Sequence, residues 1–293
     1  MAAVLRGVGR AHGAVSFVNA LLGGEGCAAA IELGAAAEVE LEECSGNLPD
    51  WTIPTEADTP LVRAALAAGA AEFGGGRSFR GTVSLRSTVP PARGLKSSSA
   101  VVGAILRSLQ DALSAPGPRP TTELASIGVR VHRALGLTAT GGFDDALVAL
   151  EGGVVAADNR SNRRLFTTEV PSGWSVLLAL PPGTHPPASS LQLRFLGRAP
   201  AGTRAMELAR RGGLIGALQI NTAEVEAALG LSFQPLRAEL VARGALGVGV
   251  AGLGPALAVI GPRDRFPEWR EQLSAQGIES LATRFQPGSG AGL

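Results

Sequence analysis

Two hydrophobic rhythms divide the chain. In the first third the short period dominates. "AVSFVNALLG" from Ala14 and "CAAAIELGAAAEVELEE" from Cys27 carry short apolar runs, and Ala37 to Glu42 alternates apolar with charged residues. That is the pattern of half-buried strands. "RGTVSLRSTVP" from Arg80 alternates in the same way, after a glycine run at 74–76. Beyond Gly94 the period lengthens. Val101, Val102, Ile105, Leu106, Leu109, Ala112 and Leu113 share one helical face, so a helix is predicted that starts within Ser97–Ser99, good capping residues. "SAPGPRP" ends it, and a second helix covers about 122–135. A loop, a short helix from about Phe143 and a strand at 153–157 follow.

The pattern then repeats. "GWSVLLALPP" reads as a strand. Helices follow at about 203–212, 222–229, 234–243 and 266–276, with Asn221 and Glu224 resembling a capping box. Phe266, Trp269 and Leu273 form an apolar stripe on the last helix. "LGVGVAGLGPALAVIGP" reads as strand, turn, strand. Its uncharged run, Gly244 to Pro262, has the length of a membrane span but holds six glycines and two prolines. Strands followed by segregated helices, twice over, predict an α+β fold. The polar stretch "DNRSNRR" places a boundary near 165, giving domains 1–165 and 166–293. The tail "QPGSGAGL" reads as disordered.

Composition narrows the function. The 293 residues are 45% hydrophobic and 17% charged, with a net charge of +1. That balance gives no reason to expect a nucleic acid or a membrane as partner. Cys27 and Cys44 have no metal-ligand spacing, and no signal-peptide pattern opens the chain, so a cytoplasmic protein is expected. One detail changes the picture. Of 26 Lys+Arg residues, Lys96 is the only lysine, and it lies in "PPARGLKSSSA".

That stretch, Pro90, Pro91, Ala92, Arg93, Gly94, Leu95, Lys96, Ser97, Ser98, Ser99 and Ala100, has the form strand, Gly-rich loop, serines, helix. Free N–H groups at a helix start, a glycine for close approach and several hydroxyls make an anion site. A Walker A loop is excluded, because it requires a Gly-Lys pair. Taken alone, the stretch reads equally as a serine cap without a ligand. Two further segments weigh against that. In "TGGFDDALVALEGG", Asp144 and Asp145 open a helix behind two glycines; they are first-turn capping acids or a carboxylate held to accept a hydroxyl proton or bind Mg²⁺. "VGVAGLGPA" is a tight hairpin or a backbone turn packed on the phosphate loop.

In this order the three segments resemble the GHMP kinase superfamily. Its phosphate loop, P-x-x-x-G-L-x-S-S-[SA]-A, is matched from Pro90 to Ala100, its G-x-D-[ND] by Gly142 to Asp145, and its late glycine turn by Gly252 and Gly254. Within the superfamily the chain looks most like the archaeal-type shikimate kinases, through GLKSSSA, TGGFDDA, Gly152-Gly153, Asp158-Asn159 and Asn19-Ala20. There are departures. Ala14 and His12 stand where mevalonate kinases carry the lysine and proline of an A-P-G-K motif, and Ala251 replaces a small hydroxyl residue.

The resemblance implies a two-domain fold, a ribosomal protein S5 domain 2-like N-terminal domain and a ferredoxin-like C-terminal domain. It implies ATP and Mg²⁺ as cofactors and shikimate as substrate, for chorismate and aromatic amino acid biosynthesis. The loop 90–100 would hold the ATP phosphates, Ser98 the metal, and Asp144 the substrate proton, with Asp145 as alternative base or support. Asn19 and His12 are substrate-side candidates, and an arginine should bind the substrate carboxylate. The anion-binding neighbours of Lys96 favour a phosphate or cleft contact over an ion pair with an acid or exposure to solvent. Alternatives are a homoserine or isoprenoid-precursor kinase, or a non-catalytic nucleotide-binding homologue.

Overall fold

In the computed structural model, residues 4–44, 50–113, 117–184 and 190–289 are described. Two sheets organise them. The first is built on β2 (Glu25–Cys44), a strand long enough to serve three neighbours. β1 (Leu5–Val18) runs antiparallel along one edge of it, from Leu5 opposite Leu41 to Val18 opposite Cys27. On the other edge, β5 (Val154–Asp158) pairs with the beginning of β2 and β4 (Ser78–Ser87) with its end. β3 (Asp50–Thr52) and β6 (Arg163–Thr168) close the two sides.

Helices cover one face of this sheet. α1 (Pro60–Phe73) lies in the third of the chain where strand patterns dominate, and no strand stands there. Thr59 caps it, Pro60 occupies its first turn, and Val62, Ala65, Leu66, Gly69, Ala70 and Phe73 form its buried stripe. Its alanine-rich composition masks that period, since alanine fits either face. α2 (Ser97–Leu113), α3 (Thr121–Ala134) and α4 (Phe143–Glu151) fall where their periodicity predicts.

The second sheet is antiparallel, in the order β10 (Glu279–Arg284), β7 (Ser175–Leu180), β9 (Leu257–Gly261), β8 (Gly247–Val250). With the helices after β7 and α9 (Phe266–Ala275) between β9 and β10, it has the β-α-β-β-α-β plan of a ferredoxin-like unit. The intervening helices are α5 (Leu191–Arg194), α6 (Ala199–Arg210), α7 (Leu214–Leu229) and α8 (Gln234–Ala242). Trp269 is fully buried beside Phe266 and Leu273, as the apolar stripe of α9 requires. Among the described residues no helix is long and apolar enough to cross a membrane.

Two local expectations, the capping box and the loose start of the tail, are corrected, and the polar stretch near 160 gains a definite form. Asn221 and Glu224 form no capping box: α7 starts at Leu214, so both sit inside it, Asn221 accepting from Asn19 and Glu224 paired with Arg198. The polar stretch near 160 is a hairpin, because Asp158 holds the turn through Arg160 N–H and Ser161 Oγ, and the first sheet continues to Thr168. The start of the tail is ordered rather than loose. Gln286 N–H donates to Ala30 O and Gly153 N–H to Gln286 O, both at 2.9 Å. Residues 290–293 of that tail lie outside the described residues.

Candidate active site

The phosphate-loop segment runs from the end of β4 into α2. Leu95 points into the core, and its carbonyl accepts from Ala14 N–H at 3.1 Å, which fixes the loop to β1. Ala92, Gly94 and Lys96 all have positive φ, at 55°, 81° and 63°. This winding brings Lys96, Ser97 and Ser98 to one cleft, with Asn19, Thr138, Thr140 and Asp145 on its walls. The first-turn N–H groups of α2 have no intrahelical partners and add partial positive charge. Ser99 and Ala100 are buried beneath. Arg93 turns away and donates to the carbonyls of Pro181 and Gly183.

The glycine turn packs directly on this loop. A Cβ on Gly94 would lie 2.0 Å from Ala251 O, and one on Gly252 would lie 2.7 Å from Gly94 O. Only bare backbone allows both approaches. Gly254 N–H closes the turn on Ala251 O at 2.7 Å, and Ala256 N–H reaches Arg93 O. Because these contacts are backbone contacts, Ala251 in place of a hydroxyl residue costs none of them.

Asp144 and Asp145 open α4 and face different surroundings. Asp144 is 3% exposed. Asn159 Nδ2 donates to its Oδ1 at 2.7 Å, and its own N–H donates to Asn159 Oδ1 at 2.9 Å. Its Oδ2 lies against Gly26, where a Cβ would come within 2.0 Å. Burial, with the neighbouring Asp145 charge, pushes its pKa up to about 7, against the opposing pull of Lys96 and Asn159. Asp145 lines the cleft itself, with Lys96 Nζ 2.9 Å from its Oδ1. Burial disfavours the Lys96 ammonium, but Asp145 and Asp144 outweigh it and hold the lysine above its usual range. The lysine is therefore both a cleft residue and the partner of an acid.

Asn19 also lines the cleft, but its side chain is committed: Oδ1 accepts from Leu21 N–H and Nδ2 donates to Gly252 O. It braces the glycine turn. His12 is placed elsewhere, on β1 beside Ile31 and Arg107, and does not line the cleft. His132, on α3, has no motif in the sequence that marks it. It is buried under the loop, facing the Ser98 backbone and the Asp145 charge, and burial lowers its pKa. Nothing in its spacing signals this, since the contact crosses from α3 to α2. Asn159, in the sequence no more than half of a matching dipeptide, holds Asp144. His185 lies outside the described residues. No cluster of three His, Cys, Asp or Glu side chains fit to hold a metal occurs among the described residues.

The chain is similar to known proteins over most of its length. Residues 60–153 match the GHMP kinases N terminal domain. The shikimate kinase of Halobacterium salinarum is 32% identical over 286 residues, covering 97% of this chain and 94% of that protein. The shikimate kinase of Methanosarcina mazei is also 32% identical, over 94% of this chain and 92% of its own length. Among solved structures, Lactococcus lactis galactokinase complexed with galactose superposes with a TM-score of 0.72 at 13% identity, covering 97% of this chain and 95% of that one.

Proposed function

Because this chain belongs to the GHMP kinase family, as an ATP-dependent small-molecule kinase, we propose that it transfers the γ-phosphoryl group of ATP to a hydroxyl of shikimate, in the cytoplasm. The products are ADP and 3-phosphoshikimate, on the route to chorismate and the aromatic amino acids. The observation that carries this reading is the full-length similarity to proteins named shikimate kinase.

Phosphoryl transfer asks mainly for alignment and charge neutralisation. The α2 N-terminus, the Gly94 backbone and the Ser97 and Ser98 hydroxyls bind ATP phosphates. Asp144 takes the hydroxyl proton; its pKa near 7 leaves it part-ionised at neutral pH, the range in which a general base is most effective. Asn159 fixes the orientation of the carboxylate through its Oδ1. Lys96 balances the two acids before ATP enters and lies close enough to the loop to meet phosphate oxygens afterwards.

The residues also fit Mg²⁺. That ion keeps several waters and is held mostly by substrate phosphates, so a cleft offering Ser98 Oγ and Asp145 without a full protein cage suits it. When bound it would neutralise developing charge on the phosphates. The test is a coupled ADP-release assay on purified protein with Mg·ATP against shikimate, homoserine and mevalonate. Turnover of shikimate alone is expected; preference for another alcohol, or nucleotide binding without any turnover, would refute the reading.

A further inference from the structure

Shikimate carries a carboxylate, and 25 arginines compete to bind it. Many are already committed. Arg198 pairs with Glu224, Arg237 with Glu226, and Arg93 and Arg107 are held by backbone carbonyls. Two stand apart. A second cavity of about 410 Å³ adjoins the phosphate cleft, and the two share Leu21, Ala139 and Thr140 as a common wall. Arg133, in the last turn of α3, and Arg160, in the turn between β5 and β6, both line it. That volume suits a single substituted ring.

Each guanidinium lies over a glycine. Arg160 Nε is 2.6 Å from where a Cβ on Gly24 would be, and Arg133 Nη2 is 2.7 Å from one on Gly141. Any side chain at either glycine would push its arginine away. Neither arginine forms an ion pair with a carboxylate of the described residues. The acid nearest in sequence, Asp158, is occupied by Ser161 Oγ at 2.6 Å and by the Arg160 backbone N–H at 3.0 Å. So two cations from separate elements are held at one cavity with no ion-pair partner among the described residues, although Arg160 feels the charge of Asp158.

The same cavity reaches the reacting end of the site. Asn159, which holds Asp144, forms part of its wall, while Leu21, Phe195 and Leu196 offer apolar surface. Resting on the kinase reading above, we propose that Arg133 and Arg160 bind the carboxylate of the acceptor. The ring carbons then lie against Leu21 and Leu196, and a ring hydroxyl faces Asn159 and Asp144. Two guanidinium forks on one carboxylate give both charge and direction. A neutral alcohol substrate leaves both cations unpaired and is disfavoured.

The test uses Arg133→Gln and Arg160→Gln, assayed with shikimate and with its methyl ester. Each variant is expected to raise KM for shikimate roughly 10- to 100-fold, with KM for ATP and the melting temperature unchanged. The wild type should prefer the acid over the ester, and the variants should treat the two alike. Wild-type KM for shikimate in both variants, or an acid preference that survives in them, overturns the assignment while leaving the kinase reading intact. A wild type that ignores shikimate overturns that reading and this one together.

Discussion

As the proposed base, Asp144 makes a prediction for pH that its charged neighbours sharpen. Asp144 must be ionised to take a proton, and its pKa is near 7. At pH 6 about a tenth of the enzyme then carries the active form, and at pH 8 about nine-tenths. kcat/KM should therefore climb on the order of tenfold over those two units and then level off. ATP has its own titration near this range, so the wild-type profile alone does not identify the group. The surroundings of Asp144 do. Lys96 lowers its pKa and Asp145 raises it. Lys96→Met should move the acid limb to higher pH, and Asp145→Asn should move it to lower pH. A limb set by ATP stays still in both. Asp144→Asn should abolish the limb and lower kcat by roughly 10²–10⁴-fold. The assay is steady-state ADP release from pH 5.5 to 9 at saturating Mg·ATP, with ATP binding measured separately to show an intact loop. Limbs that shift the same way in the two charge variants, or an Asp144→Asn enzyme within tenfold of wild type, would falsify the role of Asp144 as base.

Three other outcomes can be stated briefly. Gly94→Ala puts a Cβ 2.0 Å from Ala251 O at a φ of 81°; it should cost about 2 kcal/mol or more and raise KM for ATP, read by thermal melting and kinetics. Trp269→Ala empties a fully buried site and removes the bond from its Nε1 to Arg243 O; about 3–5 kcal/mol should be lost in urea unfolding, with no change in KM. Cys27 is fully buried, and burial followed by the Asp144 charge pushes its thiol pKa up, whereas Cys44 is half-exposed. An aromatic disulfide reagent at pH 8 should titrate one thiol in the native protein and two in denaturant.

Much of the site is legible in the sequence because it is made of contiguous motifs. Local rules alone place Pro90 to Ala100 at a helix start and Asp144 in a first turn behind two glycines, while the choice between cap and ligand site rests on the three segments together. What escapes is what depends on distance through space. The Lys96–Asp145 pair joins residues 49 positions apart, with the choice between phosphate, acid and solvent open until α4 is packed beside α2. Asn19 looks like a substrate ligand by position, yet both ends of its amide are used on Leu21 and Gly252. Arg133 and Arg160 have no motif at all; only the glycines beneath them mark their place. α1 escapes for another reason. A helix rich in alanine carries little contrast between its faces, so its period is faint where neighbouring strands alternate strongly.

The tail that rejoins the first sheet bears on how the protein comes apart. Gln286 pairs with Ala30 and Gly153, and Ser289 N–H reaches Glu151 O, so residues 286–289 of the second half are stitched into the first. The main hydrophobic core likewise runs without a break from Ala30 and Val154 to Val176, Ala205 and Leu218. A chain fastened through a shared core and through residues 286–289 is expected to have no parts that melt separately. Heat should dissolve both sheets and the kinase cleft in one cooperative calorimetric transition. A fragment ending at 165 should fail to fold, for want of the strand ends and tail that cover its edge.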